Sequence, residues 1–493
     1  MSEVVRDWDM HKAEFVDFNT GNGCGTVRLP EICRLIINTL IFDRLKYIMQ
    51  LGLTHYVFPG ATHTRFVHSI STAYYAFELA KVIQLHHPDL ITGSETLCIT
   101  LAALCHDLGH VPYSHLFEDV LPLQNGDKKF KHEEMSHEEM SVKLFEKILA
   151  EYPDTRKGLK KYLSDEHIKF ICDLINPPKN LPKDDEEWNL YGNRDKAFLF
   201  GIVSNPLNGL DVDKFEYMLR DADCSGVNIA FDKEIILRVI SSARIHHHVN
   251  YGFNWIAFSE KHLCNVRQIF ETRKRLYNIV CYHRMKEIID DTVKEALKLA
   301  GSHMYFENNA GKIFSMMKCP SDPDAYLQLN DNIFNTILHS KEKVFEPARN
   351  LLKTVVTRRV PKIIAKFDSL KAEQGPAEIA SHLRKTLSEI TLKSCYKSSS
   401  SESYFKVITE TYHAGKGNVN PIPKVLFYPR NKDLDAFVYS ADHGLESMST
   451  IFIYVPYECS DDDAKYAFGK LKNFAEKRTI VPPINMFKPS IKV

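Results

Sequence analysis

Two adjacent residues, His106 and Asp107, close the apolar run LCITLAALC at 97–105, and their position more than their type marks them as chemical groups. An ionised carboxylate beside an imidazole at the end of a buried helix is costly unless a cation or a network satisfies both, and a metal ion is the economical partner. Imidazole nitrogen with carboxylate oxygen suits Zn, Fe, Mn or Ni, while the lack of CxxC pairs argues against a structural zinc site. Histidine is also unevenly spread: of 22, five (His106, His110, His115, His132 and His137) fall between positions 106 and 137. Further ligands must come from other helices. His68 lies off the apolar stripe Phe66, Ile70, Ala73, Phe77 and Ala80, on a face with Thr72 and Tyr75. Asp213 shares a face with Tyr217 and Asp221 at i, i+4 and i+8. The ordered set His68, His106 with Asp107, then Asp213 leaves room for a metal-bound water aimed at phosphorus, the usual metal contribution to phosphoester hydrolysis.

The elements that must hold these groups are mainly helical. Residues 1–30 form an N-terminal segment, Gly-rich at NTGNGCG, with a strand at Thr26–Leu29 and Pro30 placed to open a helix. The helical core is expected over 31–320. EICRLIINTLIFDRLKYIMQLG reads as one amphipathic helix ending at Gly52, and the stretches around 151–167 and 176–195 read as surface connections. A helical run over about 258–300 follows, then helices at about 322–354 and a basic segment with Arg358, Arg359, Lys362 and Lys366. SSSS at 398–401 marks a joint. Beyond it the period turns strand-like at VLFY, AFVY and TIFIYV, before a capped helix beginning at DDDAKY. The fold class is therefore mainly α: a helical bundle core with a small C-terminal α+β lobe, the region 321–493 serving regulation or oligomerisation.

The 493 residues carry 63 basic and 63 acidic side chains, so any polyanion must be met locally rather than through overall charge. No stretch reaches the roughly 18 apolar residues of a membrane helix. Eleven cysteines without CxxC pairs and an N-terminus without an apolar signal core favour a reducing intracellular compartment; no Lys/Arg-rich nuclear run distinguishes nucleus from cytoplasm.

The words YVFPGATHTRFVHS, LCHDLGHVPYSH, HEEMS and NGLDVDKFEYMLRD, in this order, resemble the HD-domain deoxynucleoside triphosphate triphosphohydrolases, most closely their animal SAM-and-HD-domain branch, over about residues 28–360. The resemblance starts without a SAM domain, so this member is expected either to lack one or to carry it before the first residue of this sequence. The resemblance implies hydrolysis of a dNTP to deoxynucleoside and inorganic triphosphate, with His68, His106, Asp107 and Asp213 holding a divalent transition metal (Zn, Fe or Mn) and Mg on the nucleotide phosphates. It places His110, His115 and His137 near the phosphates, with His115 as the general acid. It makes Arg65, Lys214 and Arg273 phosphate clamps, Gln50 and Leu51 sugar contacts at the end of the first helix, Tyr217 a sugar-stacking ring and Asp221 a 3′-hydroxyl acceptor. Nucleotide activators, GTP or dNTP, and assembly up to a homotetramer are implied too, with Lys46, Val57, Asn265, His283, Arg358 and Lys362 at activator sites.

The chain departs from the family at several positions. Cys281-Tyr282-His283 stands where the family has Tyr, a polar residue and His, so the sugar gate would fall to Tyr282, one residue and about 100° away on a helix. Tyr277 replaces a family His, and Glu118 an Asp. The activator loop aligns with Gly21–Gly25, and the guanine-reading positions with Asn38, Asp43 and Lys46, so guanine selectivity is expected to be altered. His132 reads as part of a polar loop, His246–His248 as a solvated run rather than a second metal site, and the 358–366 patch equally as activator phosphate site or solvated face. Two other functions stay open: an HD phosphohydrolase for another phosphoester such as a ribonucleotide, and a nucleotide-responsive nucleic-acid scaffold. Neutral charge without interleaved aromatic and basic residues counts against the second.

Overall fold

The computed structural model describes the chain except for residues 1–5, 22, 121–135, 183–186, 193, 249, 372, 374, 396–403, 431–434, 440–444, 479 and 487–493. It opens with an antiparallel hairpin, β1 (Phe15–Asn19) and β2 (Thr26–Pro30). Two short helices follow, α1 (Arg34–Ile37) and α2 (Leu40–Asp43). Next come α3 (Arg65–His86), α4 (Gly93–Cys105), α5 (His115–Glu118), α6 (His137–Glu151), α7 (Pro153–Lys160), α8 (Asp165–Ile175), α9 (Val212–Ser225) and α10 (Lys233–Ser241). Strands β3 (Arg244–His248) and β4 (Phe253–Ser259) interrupt the helices before α11 (Leu263–Leu276) and α12 (Arg284–Gly301). A small hairpin, β5 (Tyr305–Glu307) and β6 (Ile313–Ser315), precedes α13 (Pro323–Leu327), α14 (Ile333–His339) and α15 (Glu346–Val356). The C-terminal part holds β7 (Lys362–Lys371), α16 (Pro376–Ser388), β8 (Lys406–Tyr412), β9 (Leu426–Tyr428), β10 (Phe437–Val438), β11 (Met448–Val455), α17 (Asp461–Arg478) and β12 (Ile484–Asn485).

The chain is mainly α, as its sequence implies. Helix α4 is buried along its whole length and lies between α3 and α8, and α9 packs on the other side of α3. Its start is fixed by a capping box in which Thr92 accepts from the Glu95 amide and Glu95 reaches back to the Thr92 amide, satisfying two otherwise orphaned donors. α9 is capped by Asp211, which accepts from the Lys214 amide, and ends at Gly226 in the left-handed region. The C-terminal sheet runs β12-β7-β11-β8, all antiparallel. One of its faces, with α16 and α17, encloses a second apolar cluster around Phe367, Leu383 and Leu471. From the opposite face of β11, Phe452 and Tyr454 join the main core. A second sheet, β10-β9-β4-β3, pairs β9 in parallel with β4, so Leu426, Phe427, Phe437 and Val438 pack against the main core.

Several local expectations are corrected. The segment 31–51 is not one helix: Thr39 is extended and its hydroxyl accepts from the Phe42 amide, starting a new turn, so the side chain competes with helix continuation. Gln50 and Leu51 accordingly follow a bridge between Met49 and Thr64 instead of ending a helix. Residues 153–160 form α7, with Pro153 in its first turn, where a surface connection was expected. His246–His248 lie in β3, where strand alternation buries His248 and stacks half-buried His246 on Tyr428 while only His247 stays exposed, so the run is solvated in one of its three members. The basic segment from Lys362 is β7, its Lys362 and Lys366 flanking buried Ile364 and Ala365, adjacent residues that a register shift against β11 lets be buried together. The strands at 425–428, 436–439 and 450–455 and the helix from Asp461 are present. The joint at 398–401 and His132 lie outside the described residues. No helix among the described residues is long and apolar enough to cross a membrane.

Candidate metal centre

His68 on α3, His106 and Asp107 after α4, and Asp213 on α9 converge, although they are separated by up to 145 residues along the chain. The Nε2 atoms of His68 and His106 face each other at 3.3 Å. Asp213 Oδ1 lies 3.1 Å from His68 Nε2 and 3.5 Å from His106 Nε2, and Asp107 Oδ1 lies 3.3 Å from His106 Nε2. The other ring nitrogens are already taken. His68 Nδ1 donates to Glu216 and His106 Nδ1 donates to the Ala103 carbonyl at 2.7 Å. Both imidazoles therefore turn Nε2 toward two carboxylates, and in the neutral form each Nε2 offers a lone pair, a donor set that fits a divalent transition metal with the Nδ1 acceptors orienting the rings. Two such lone pairs face to face repel unless a cation or protons lie between them.

Protonation shows the same need for positive charge. Burial lowers the His68 pKa, but Glu216 and Asp213 outweigh it and hold it up to about 10. His106 moves the same way, burial being overcome by Asp107 and Asp213. Burial raises Asp213, yet the hydrogen bonds from His106 and His68 leave it well below the usual carboxylate range. Asp107, opposed by burial, is depressed by Arg65, His106 and His110.

The surrounding groups are braced by buried contacts. Arg65 donates to Asp107 at 2.5 Å and to Ser114 Oγ at 2.7 Å, and Ser114 donates to the Gln50 carbonyl at 2.9 Å. Tyr113 and Ser114 have φ of 57° and 56°, a strained left-handed pair held by Asp331, which accepts from the amides of Tyr113 and Met49 at 2.8 Å each. Gly109 lets α6 approach, since a Cβ there would lie 2.2 Å from the His137 carbonyl. The His137 ring consequently stacks on His110 at 4.1 Å, and its Nδ1 meets Glu118 at 3.1 Å. Asp107, His110 and His137 form a second group able to hold a cation. His115 begins α5, but its side chain lies outside the described residues.

The centre opens into a cavity of about 520 Å³. Gln50, Leu51, Arg65, Tyr217 and Asp221 line it, as do Tyr277, Cys281 and Tyr282. The Gln50 carboxamide oxygen is buried there without a hydrogen-bond partner. A π-helical turn spans Tyr277–Cys281, with the Tyr282 amide donating to the Tyr277 carbonyl at 2.8 Å. Residues five apart on an α-helix point roughly 140° apart. Here the Tyr277 and Tyr282 rings meet edge to face at 5.6 Å, so the wider turn brings Tyr282 to the cavity beside Cys281. Lys214 and Arg273 stand behind this wall: Lys214 pairs with Asp211 at 3.2 Å, while Arg273 covers the Tyr277 ring and donates to Tyr217 Oη at 3.0 Å and the His413 carbonyl at 2.5 Å.

The residues tied to activators fall at separate places. Arg358, with φ of 60°, donates to the Tyr56 carbonyl beside Val57, and His283 packs edge-on against Phe58. Lys46 pairs with Asp43 at 2.5 Å, Asn265 bonds His262 at 3.1 Å, and Lys362 donates to the Cys459 carbonyl at 2.9 Å.

Sequence reasoning missed Glu216, Arg220 and His63. Glu216 is fully buried between His68 and Arg220, whose Nε donates to it at 2.5 Å while NH1 and NH2 reach the Thr20 carbonyl and Ser71 Oγ. The spacing Asp213, Glu216, Arg220 at i, i+3 and i+7 was the available signal. His63 bonds Asp221 at 2.7 Å across 158 residues and had none.

A family model described as HD domain matches residues 65–185. The protein named deoxynucleoside triphosphate triphosphohydrolase SAMHD1 from Bos taurus is 31% identical over 466 residues, covering 91% of this chain and 76% of its own length. Its Homo sapiens counterpart is 32% identical over 421 residues, covering 82% of this chain and 64% of its own length. The Dictyostelium discoideum SAMHD1 homolog is 32% identical over 341 residues, 69% of this chain and 58% of its own. Similarity thus reaches well past residue 360, into the C-terminal sheet.

Proposed function

Because this chain belongs to the HD-domain deoxynucleoside triphosphate triphosphohydrolase family, we infer that it hydrolyses dNTPs to deoxynucleoside and inorganic triphosphate in a metal-dependent reaction. The observation that carries this reading is the convergence of His68, His106, Asp107 and Asp213 at a cavity that also presents the orphaned Gln50 oxygen. His68, His106, Asp107 and Asp213 would hold a Zn, Fe or Mn ion, which when bound supplies a water acidified for attack on phosphorus. Glu216 and Ala103 fix the tautomers of the two histidines. Arg65, held by Asp107 and Ser114, faces the triphosphate, and Mg on the phosphates would lower its charge further. Lys214 and Arg273 act as clamps once turned from Asp211 and His413. His110 and His137 stabilise charge beside the phosphates, and His115 delivers the proton to the leaving 5′ oxygen.

Sugar recognition falls to Gln50, Leu51, Tyr217, Tyr277 and Asp221, with Tyr282 closing the wall that a Tyr at 281 would otherwise close. The presence of Cys281 on that wall supports a second reading, in which a ribonucleotide is also accepted. Lys46, Val57, Asn265, His283, Arg358 and Lys362 would take activator nucleotides that drive assembly toward a tetramer, with guanine reading altered by Asn38, Asp43 and Lys46. The deciding experiment incubates the protein and each dNTP or NTP with a divalent metal, with and without GTP or dGTP, and separates the products. Triphosphate plus deoxynucleoside is expected, and pyrophosphate or monophosphate as the product overturns the reading. Oligomer mass measured in the same solutions tests the activator sites.

A further inference from the structure

His63 lies in the loop between the Met49–Thr64 bridge and the close approach of Gly60 to α9, where a Cβ would sit 2.6 Å from the Cys224 carbonyl. Its side chain is only 5% exposed, and it takes no part in the metal centre. It nevertheless contacts both residues that present acceptors on the sugar side of the cavity, Gln50 through its backbone and Asp221 through its ring. The His63 backbone carbonyl accepts from the Gln50 backbone N–H at 3.0 Å, and its Nε2 bonds Asp221 Oδ1 at 2.7 Å. Gln50 comes from the N-terminal part of the core and Asp221 from α9, 171 positions later, and His63 is bonded to both.

We propose that His63 is a positioning residue whose ring orients the Asp221 carboxylate toward the cavity, and thereby sets the site's demand for a 3′-hydroxyl on the sugar. The inference rests on the reading above that Asp221 meets the sugar. A hydroxyl has one proton, so it is held strongly only where an acceptor is fixed in its direction. The Asp221 carboxylate, 7% exposed at the side chain, has one oxygen engaged by His63 and therefore cannot rotate freely away from the cavity. Without His63 the carboxylate would turn toward solvent or toward the Cys224 side, and the hydroxyl would lose a charge-assisted partner.

The test compares wild type, His63→Ala, His63→Gln and Asp221→Asn on a dNTP and on its 3′-deoxy counterpart, with kcat and KM measured separately and melting temperature as the folding control. The expected result is a roughly 10- to 100-fold fall in kcat/KM for His63→Ala on the dNTP, little change on the 3′-deoxy substrate, and partial rescue by His63→Gln, which keeps a donor for Asp221. Equal losses on both substrates, or no loss on either, overturn the positioning role. If the wild type and Asp221→Asn both treat the two substrates alike, the sugar reading itself fails. If Asp221→Asn loses the discrimination and the His63 variants keep it, only the His63 inference fails. Should His63→Ala not fold, His63→Gln against His63→Leu carries the same comparison.

Discussion

Glu216→Gln is a one-atom change at a fully buried position, and its effect can be worked out from the bonds Glu216 makes to His68 and Arg220, which outweigh the weak Cys24 thiol contact at 3.6 Å. One carboxylate oxygen accepts from His68 Nδ1 and the other from Arg220 Nε at 2.5 Å. A carboxamide offers one oxygen and one NH2 in those two places. If the oxygen keeps Arg220, the NH2 faces His68 Nδ1, which must then accept; the ring proton moves to Nε2 and blocks the lone pair aimed at the metal. If the oxygen keeps His68, the NH2 meets the Arg220 N–H donor to donor, inside a region where Arg220 is 2% exposed. The first arrangement is the less costly because it spares the buried guanidinium. The expected result is therefore a metal affinity lower by about 10- to 100-fold, or roughly 1.4–2.7 kcal/mol, with the fold retained. Metal content after dialysis against a graded chelator, read alongside the melting temperature of the chelated protein, measures both. Unchanged metal retention in a folded Glu216→Gln protein refutes the tautomer argument, and restoration of turnover at high added metal supports it.

Asp107→Ala should abolish metal retention and turnover together; triphosphate release by the metal-free variant would sink the mechanism. His115→Ala should lower kcat far more than it alters KM, and an unchanged kcat moves the proton donor elsewhere. Tyr282→Ala should raise the ratio of NTP to dNTP turnover roughly 10- to 100-fold if that ring closes the sugar wall; a constant ratio returns the gate to another residue. Burial lowers the His63 pKa, but Asp221 and Cys224 outweigh it and raise it to about 9 from its ordinary 6.5. The pair therefore stabilises the fold fully below about pH 6.5 and loses that contribution as pH rises through about 9. The melting-temperature gap between wild type and His63→Gln should shrink over that interval, and a gap that is flat or widens with pH contradicts the assignment.

The residues that converge at the candidate metal centre were legible because they carry local marks: His106 and Asp107 end a helix buried all round, and Asp213 shares a helical face with Tyr217 and Asp221. The bracing residues were not, since Glu216 meets His68 across 148 positions and Asp331 meets Tyr113 across 218, and neither residue has an unusual neighbourhood in its own segment. The helix expected over 31–51 had the right apolar spacing, but Thr39 offers its own hydroxyl to the next turn and breaks the run. β3 and β4 were read within a helical region because β4 owes its inner position to β9, some 170 residues away, and alternation alone does not reveal that partner. How Tyr282 reaches the cavity was not legible, because the π turn that sets it against Tyr277 has no sequence signature in YNIVC.

The parallel pairing of β9 with β4 bears on how this protein could be divided. A gene fragment ending near residue 360 would retain every candidate metal ligand, yet it would strip β9 and β10 from β4 and expose the hydrogen-bonding edge at Ala257–Ser259. It would also remove the His413 carbonyl that holds Arg273. Catalytic and C-terminal parts are thus interleaved in sequence, and a transplantable hydrolase module has to carry the strands from 426 to 438 with it, either in place or spliced after β4.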